Sequence, residues 1–163
     1  MNAPDFLSLL IEAAARNHGL PTRLVAAVVR VESSSNPWAM RYEPAFYDRY
    51  VRGQQTRVFG AVSRDTERTA RATSWGLMQV MGETARCLGC TLPFLSQLCD
   101  PAMGLEWGCK LLMRLSARYS DWPTVVAAYN AGTPRKDGAG RFVNQPYVDK
   151  IFNACGGAWP PKE

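Results

Sequence analysis

Hydrophobic residues recur with a helical period near the start of the chain. Between Pro4 and Asn17 apolar positions stand three and four residues apart, which predicts an amphipathic helix, and Gly19 supplies a C-terminal stop. The face expected to turn inward carries Phe6, Leu9, Leu10, Ala13 and Ala14.

A second helix is predicted from Pro21 to Glu32, because the proline suits a first helical turn and an apolar face follows it. This face consists of Leu24, Val25, Val28 and Val31. The serines and the asparagine of residues 33–36 compete for backbone hydrogen bonds, and Pro37 cannot continue a helix. We therefore expect the helix to end close to Glu32.

Residues 38–73 have the least regular pattern in the chain. They predict a short helix near 44–51, a turn at 53–55 and another short helix near 65–72. Seven arginines lie between Arg41 and Arg71. A stretch of this length inside a compact domain is more typical of a functional insertion than of a plain connection.

Clear start and stop signals return after this insertion. They predict helices over 82–88, from Asp100 to Leu115, from Trp122 to Tyr129 and over 146–154, with a polar loop at 133–140. No repeat or linker divides the chain. The sequence thus predicts one mainly α-helical domain over residues 1–163, with the insertion at about 38–73.

The composition is that of a globular protein, with 47% hydrophobic and 20% charged residues. No apolar run approaches the roughly 18 residues that a membrane span needs, so no membrane insertion is expected. The N-terminus lacks a basic region, so no signal peptide is expected. The net charge of +5 favours an anionic partner or simply supports solubility. Because no helix gathers arginine and lysine on one face, we do not expect nucleic-acid binding.

Five cysteines and a single histidine, His18, are the residues with metal-binding chemistry. Cys87 and Cys90 have the spacing of a zinc ligand pair, but nine residues separate Cys99 from Cys109 and no histidine lies nearby. We expect buried thiols and no metal or cofactor, while disulfides remain an alternative for a protein outside a reducing cytosol.

Glu32 is the most informative single position. It follows the strongly apolar run 24–31, and burial among apolar groups raises the pKa of a carboxyl group because it penalises the anion. A general acid that works near neutral pH needs such a pKa. The alternative is a glutamate on the solvent side that only solvates the end of its helix.

Three short motifs follow one another along the chain. Residues 32–37 are Glu-Ser-Ser-Ser-Asn-Pro, residues 76–81 are Gly-Leu-Met-Gln-Val-Met, and residues 127–132 are Ala-Ala-Tyr-Asn-Ala-Gly. In this order they resemble the catalytic-glutamate, second and third motifs of the soluble lytic transglycosylases, the lysozyme-like enzymes that cleave bacterial peptidoglycan. Tyr147 is similar to the last tyrosine of that family.

The resemblance implies a lysozyme-like fold related to goose-type lysozymes, with Glu32 as the catalytic residue. It also implies that Tyr147 hydrogen-bonds Glu32 and holds its proton in position. The expected substrate-binding residues are Ser33, Glu43, Met78, Gln79, Met81, Tyr129, Asn130 and Tyr147. For the second motif the alternative is a buried run with the methionines in the core and the glutamine bonded to backbone. For the third motif the alternative is that the hydroxyl of Tyr129 is hydrogen-bonded to a neighbouring protein group.

The chain departs from the family between its first two motifs. Here 43 residues separate Glu32 from Gly76, where the bacterial exolytic members have a short loop, and the serine that those members carry before the glycine has no clear counterpart. Goose-type lysozymes have extra acids in this region that are thought to position a water. Glu43 is the best candidate for such a second carboxylate, and the alternative is a surface glutamate paired with an arginine.

The resemblance implies that the enzyme cleaves the bond between N-acetylmuramic acid and N-acetylglucosamine and forms a 1,6-anhydro product. One alternative is a hydrolytic muramidase that uses a second acid of the insertion. Another is a non-catalytic wall-binding or structural component of a phage tail or secretion machine. We expect a monomer that binds peptidoglycan glycan strands. It would be made in the cytoplasm and reach the wall after holin release, as an endolysin does, or by injection.

Overall fold

The computed structural model describes residues 5–159 and Pro161. Within that part of the chain the helices are α1 (Phe6–Asn17), α2 (Thr22–Ser33), α3 (Pro44–Phe46), α4 (Arg64–Arg71), α5 (Gly82–Cys87), α6 (Pro101–Arg118), α7 (Trp122–Ala131) and α8 (Gln145–Ala154). A π-helical turn covers Tyr47–Val51 and a 3-10 helix covers Leu95–Cys99. The strands are β1 (Met40–Tyr42), β2 (Thr73–Trp75) and β3 (Val80–Met81).

The contacts divide the chain into two compact units. The first, here called the middle unit, is Glu32–Gly108. The second, the terminal unit, consists of the described residues up to Val31 and those from Cys109 onward. The single domain expected from the sequence stays a prediction.

The middle unit contains a small antiparallel sheet in the order β1-β2-β3. Met40 lies opposite Trp75, and Ser74 lies opposite Met81. The hydrophobic pattern did not predict this sheet, because strands of three and two residues are too short to show an alternating period. The prediction of a mainly helical protein is confirmed.

A buried ionic network joins the two helices on either side of the β2–β3 hairpin. Glu67 of α4 is only 1% exposed, and its carboxylate accepts hydrogen bonds from Arg71 on the same helix and from Arg86 on α5. Arg71 also pairs with Glu83 of α5 at 3.3 Å. The remaining donors of Arg86 reach the carbonyl oxygens of Cys90 and Leu92. Because every charge has a partner, the network can remain buried without water.

The core of the terminal unit is made by apolar faces of α1, α2, α7 and α8. The residues buried there include Ile11, Ala15, Leu24, Val25, Val28, Val29, Val125, Val126, Val148 and Ile151. Arg30 of α2 donates a 2.8 Å hydrogen bond to the carbonyl oxygen of Ala154 at the end of α8. The predicted inward face of α2 is therefore confirmed for its first three members, while Val31 is half-buried.

The inward face expected for α1 is wrong in part. Ile11 and Ala15 are the buried residues of this helix, whereas Phe6 is 74% exposed and Leu9 is 49% exposed. The helical period is compatible with either face, because apolar residues surround most of α1, and only packing against the other helices selects one. The expected start at Pro4 lies outside the described residues.

Most of the predicted helix ends are confirmed. Asp100 and Asp121 accept hydrogen bonds from the backbone at the starts of α6 and α7, as N-cap residues do. The two short helices of the insertion are present as α3 with its π-helical turn, and as α4. Among the described residues, no helix is both long and apolar enough to cross a membrane.

The cysteines are thiols in the described part of the chain, where no disulfide is formed. Cys90, Cys99, Cys109 and Cys155 are buried and Cys87 is exposed. Burial raises the pKa of the Cys99 thiol, and it raises that of Cys155 to about 11. No group of three or more histidine, cysteine, aspartate or glutamate side chains within the described ranges could hold a metal ion.

Candidate active site

Glu32 is the penultimate residue of α2 and its side chain is half-buried. The helix ends at the next residue, Ser33, because Ser34 and Ser35 adopt left-handed backbone conformations with φ values of 52° and 64°. These are uncommon for residues other than glycine. The amide of Asn36 closes the turn on the carbonyl oxygen of Ser33 at 3.0 Å. The carboxyl group is thus presented at the C-terminal end of a helix.

Ser33 connects the first motif to the second. Its hydroxyl donates a hydrogen bond of 2.8 Å to the carbonyl oxygen of Leu77. Leu77 is 1% exposed and lies in the turn between β2 and β3. The residue next to Glu32 is therefore fastened to a buried part of the middle unit, and this restricts the backbone that carries the carboxyl group.

The turn between β2 and β3 is held by the side chain of Gln79. Its amide nitrogen donates 2.9 Å hydrogen bonds to the carbonyl oxygens of Ala39 and Gly76, and its amide oxygen accepts one from the hydroxyl of Ser74. Both ends of the amide are thus bonded inside the protein. These bonds match the alternative in which Gln79 bonds backbone, so the described geometry gives Gln79 a positioning role.

The two methionines of the second motif have different surroundings. Met78 is fully buried and packs against Gly108, where any β-carbon would overlap its side chain. Met78 offers no surface to a ligand in this structure, which corrects the expectation that it contacts a sugar. The reason is the α6 backbone, which approaches closely because Gly108 has no side chain. Met81 is half-buried on β3 and keeps part of its surface.

Ser74 is a residue of the site that the sequence did not reveal. It is 4% exposed on β2, and it is bonded both to Gln79 and to the carbonyl oxygen of Arg41. The sequence analysis found no counterpart of the family's serine before the glycine. A serine two residues before Gly76 was the available signal in the sequence, but its second partner, the carbonyl oxygen of Arg41 on β1, lies 33 positions away.

Glu43 stands at the start of α3, and its side chain is 33% exposed. Its carboxylate is paired with the guanidinium of Arg41 at 2.5 Å. Its amide donates to the carbonyl oxygen of Ala72, which fastens this end of α3 beside β2. The pairing matches the alternative of a glutamate held by an arginine of the insertion.

The remaining predicted site residues belong to the terminal unit. Tyr129 is half-buried near the end of α7, Asn130 beside it is exposed, and Tyr147 is half-buried on α8. Asn144 at the start of α8 donates to the side-chain oxygen of Asn130 and to the carbonyl oxygen of Ala127. The third motif is thereby tied to the beginning of α8.

The structure thus groups the predicted residues by unit. The middle unit contains Glu32, Ser33, Glu43, Met78, Gln79 and Met81, and the terminal unit contains Tyr129, Asn130 and Tyr147. The hydrogen bond expected between Tyr147 and Glu32 stays a prediction.

A family model described as the transglycosylase SLT domain matches residues 9–147. The chain belongs to this family, and the resemblance found in its motifs is confirmed. The family's lysozyme-like, mainly helical fold agrees with the observed architecture.

Two curated proteins are similar to this chain. One is named transglycosylase, from Enterobacteria phage PRD1, and is 31% identical over 136 residues that cover 83% of this chain and 38% of the relative. The other is the membrane-bound lytic murein transglycosylase C of Haemophilus influenzae (strain PittEE), 25% identical over an alignment of 176 positions. That alignment covers 94% of this chain and 41% of the relative. The chain therefore spans about two-fifths of the length of these relatives. No solved structure matches it.

Proposed function

We propose that this chain is a peptidoglycan lytic transglycosylase domain that cuts the β-1,4 bond between N-acetylmuramic acid and N-acetylglucosamine. The observation that carries the proposal is the 2.8 Å hydrogen bond from Ser33 to Leu77, which joins the glutamate motif to the second motif of the family. The family match over residues 9–147 and the names of both relatives support the reaction class, and the name of the Haemophilus relative supports the substrate.

Glu32 performs both proton transfers in the proposed reaction. Its carboxyl group first donates a proton to the glycosidic oxygen, so that the bond to the anomeric carbon breaks. The resulting carboxylate then removes the proton of the C6 hydroxyl of N-acetylmuramic acid while that oxygen bonds to the anomeric carbon. The product is a 1,6-anhydro sugar, no water is consumed, and Glu32 regains its proton. One carboxyl group therefore suffices where most glycosidases need two.

The other predicted residues have supporting roles in this proposal. Tyr147 holds the carboxyl group of Glu32 by a hydrogen bond, and Tyr129 and Asn130 contact the sugars. Ser33 and Gln79 act through the backbone that they fasten, since the partners of both are protein groups. No cofactor takes part.

A hydrolytic muramidase is the second candidate, and it depends on Glu43. Its carboxylate stands at the start of α3 beside Arg41, and a carboxylate can orient a water. In that reaction the water takes the place of the C6 hydroxyl, and the product is a reducing sugar.

The deciding experiment is digestion of purified peptidoglycan by the wild type, Glu32→Gln and Glu43→Gln, with mass spectrometry of the products. The proposal expects anhydro ends, lighter by one water than reducing ends, and no products from Glu32→Gln. Reducing ends that disappear in Glu43→Gln would establish the muramidase instead. A folded wild type that binds the wall without cutting it would establish a binding or structural role.

We further propose that the protein acts on the bacterial cell wall as a monomer after release through a phage holin. Delivery within a tail or secretion machine is the alternative. The phage relative supports this setting. Expression in a bacterial host with and without a holin tests it, because only the first combination should lyse the cells.

A further inference from the structure

Large apolar side chains are exposed at short intervals in the first part of the insertion. Trp38 is 73% exposed, Met40 63%, Tyr42 44% and Tyr50 49%. We call these four residues, which are three aromatic residues and one methionine, the aromatic surface. Exposed apolar side chains are ordinary when they stand alone, but a group of them within so few residues is typical of an interaction site.

Strand β1 and two ring contacts set the local arrangement of these side chains. Met40 and Tyr42 share one face of β1, about 7 Å apart, because alternate residues of a strand point to the same side. The ring of Tyr42 meets that of Tyr47 edge-on at 6.3 Å, and Phe46 stacks obliquely on Tyr50 at 4.7 Å. Two members of the aromatic surface, Tyr42 and Tyr50, thus pack against further rings.

The backbone at the start of the aromatic surface is hydrogen-bonded to the candidate active site. The amide of Trp38 donates to the side chain of Asn36 in the glutamate motif at 3.0 Å. Ala39, between Trp38 and Met40, accepts hydrogen bonds through its carbonyl oxygen from Gly76 and Gln79 of the second motif. Residues 38 and 39, which lead into β1, are therefore fastened to both motifs within the middle unit.

Two of the three arginines around the aromatic surface are paired with carboxylates. Arg41 binds Glu43 and Arg52 binds Asp48, each at 2.5 Å, and the guanidinium of Arg49 lies over the ring of Tyr50. Because carboxylates neutralise two of these three positive charges, the surface has little net charge with which to attract an anionic lipid. It suits a neutral ligand with apolar C–H faces and many hydroxyl groups, because the C–H bonds meet the negative ring faces and the ionic side chains bond the hydroxyls.

We propose that the aromatic surface binds the sugar rings of a glycan strand beyond the bond that is cut, so that the insertion adds a glycan subsite of its own. The inference rests on the proposed function for the identity of the strand. Two observations support it. Hydrogen bonds connect residues 38 and 39 to two family motifs, and carboxylates pair with Arg41 and Arg52.

The test measures binding in the Glu32→Gln background, so that no probe is consumed. The probes are the disaccharide and the hexasaccharide of β-1,4-linked N-acetylglucosamine, titrated by calorimetry. Trp38→Ala and Tyr42→Ala should each weaken hexasaccharide binding roughly three- to tenfold and leave disaccharide binding unchanged. Trp38→Tyr, which keeps a ring, should restore most of the affinity.

Phe6→Ala is the matched control, because Phe6 is as exposed as Trp38 but belongs to α1. It should change neither affinity. The proposal is overturned if the parent protein does not bind the hexasaccharide, if Trp38→Ala leaves that binding intact, or if it weakens both probes equally. It is also overturned if Trp38→Ala affects only binding to anionic phospholipid vesicles or only self-association in sedimentation.

The failure of this inference and the failure of the proposed function are separate results. Peptidoglycan that is cut by the wild type while Trp38 has no part in hexasaccharide binding would remove the subsite alone. Binding that depends on Trp38 in a protein that cuts no peptidoglycan would remove the catalytic role and leave the subsite.

Discussion

Glu67 and Arg86 form a two-point ion pair inside the middle unit, with nitrogen–oxygen distances of 2.8 and 3.1 Å. Glu67 lies on α4, which leads into β2, and Arg86 lies on α5, which follows β3. The pair therefore closes the two ends of the hairpin whose turn, residues 76–79, carries the second motif. The insertion provides one half of this closure and the segment after the hairpin provides the other.

Replacing Glu67 by glutamine should lower the free energy of unfolding by about 3–5 kcal/mol, because the buried guanidinium of Arg86 loses its anion and Arg71 keeps only Glu83. Urea denaturation measures the change. Asp65→Asn is the control, since Asp65 is 89% exposed and its pairing with Arg68 is a surface contact. Its cost should stay below about 1 kcal/mol. If both variants lost the same free energy of unfolding, the buried ion pair would contribute no more to stability than the surface pair.

Gly76→Ala should be much more destabilising than Gly132→Ala. Both glycines have positive φ values, 69° and 76°, so an alanine at either costs about 1–2 kcal/mol in backbone strain. At Gly76 the new β-carbon would also overlap the carbonyl oxygen of Leu98, whereas nothing lies within 4 Å at Gly132. We expect a total of about 2–5 kcal/mol at Gly76, since overlap adds to strain. Thermal unfolding of both variants compares them, and similar melting temperatures would contradict the packing argument.

Ser33→Ala should lower kcat more than it changes KM, because its hydroxyl restrains the residue next to Glu32 rather than a sugar. The stability cost should be about 1 kcal/mol, the usual net contribution of one hydrogen bond. Steady-state kinetics on peptidoglycan fragments measures the effect, and Ser33→Thr should restore activity because it keeps a hydroxyl. Ser35→Ala removes an exposed hydroxyl of the same motif and serves as the control. A rise in KM with unchanged kcat would argue for direct contact with substrate.

The thiols should react in an order set by burial. The pKa of Cys155 is raised to about 11, mainly because burial penalises the thiolate. At about pH 8 iodoacetamide should therefore modify the exposed Cys87 and leave Cys155 intact until the protein unfolds. Mass spectrometry of the digested protein locates the label, with urea-unfolded protein as the control. Rapid labelling of Cys155 in the folded state would contradict its burial.

The same thiol contributes to the dependence of stability on pH. Because its pKa in the folded protein lies above the ordinary value of 9.0, the folded state holds the proton more tightly than the unfolded state does. This contribution is fully present below about pH 9 and is lost as the pH rises towards about 11. A Cys155→Ala variant should show a smaller loss of stability over that interval.

The sequence predicted the helices well because their signals are local. An aspartate before a proline at residues 100–101, a glycine at position 132 and the apolar period of α2 act within one or two helical turns. The same holds for the motifs, whose order along the chain was enough to predict the family. The sequence was less informative on α1. Apolar residues lie on more than one face of this helix, so the pattern did not show that Ile11 is buried and Phe6 exposed.

The sequence by itself determined the helical class, the three motifs and Glu32 as the candidate catalytic residue. Tertiary structure alone decided the sheet, the burial of Met78 and the partners of Gln79. The ion pair that closes the hairpin was also decided by tertiary structure, because Glu67 and Arg86 are 19 positions apart in the chain. The physical reason is the separation along the chain of the residues that interact. Helix caps and periods depend on neighbours a few residues away, whereas a hydrogen bond from Gln79 to Ala39 joins groups 40 positions apart, and no local pattern records it.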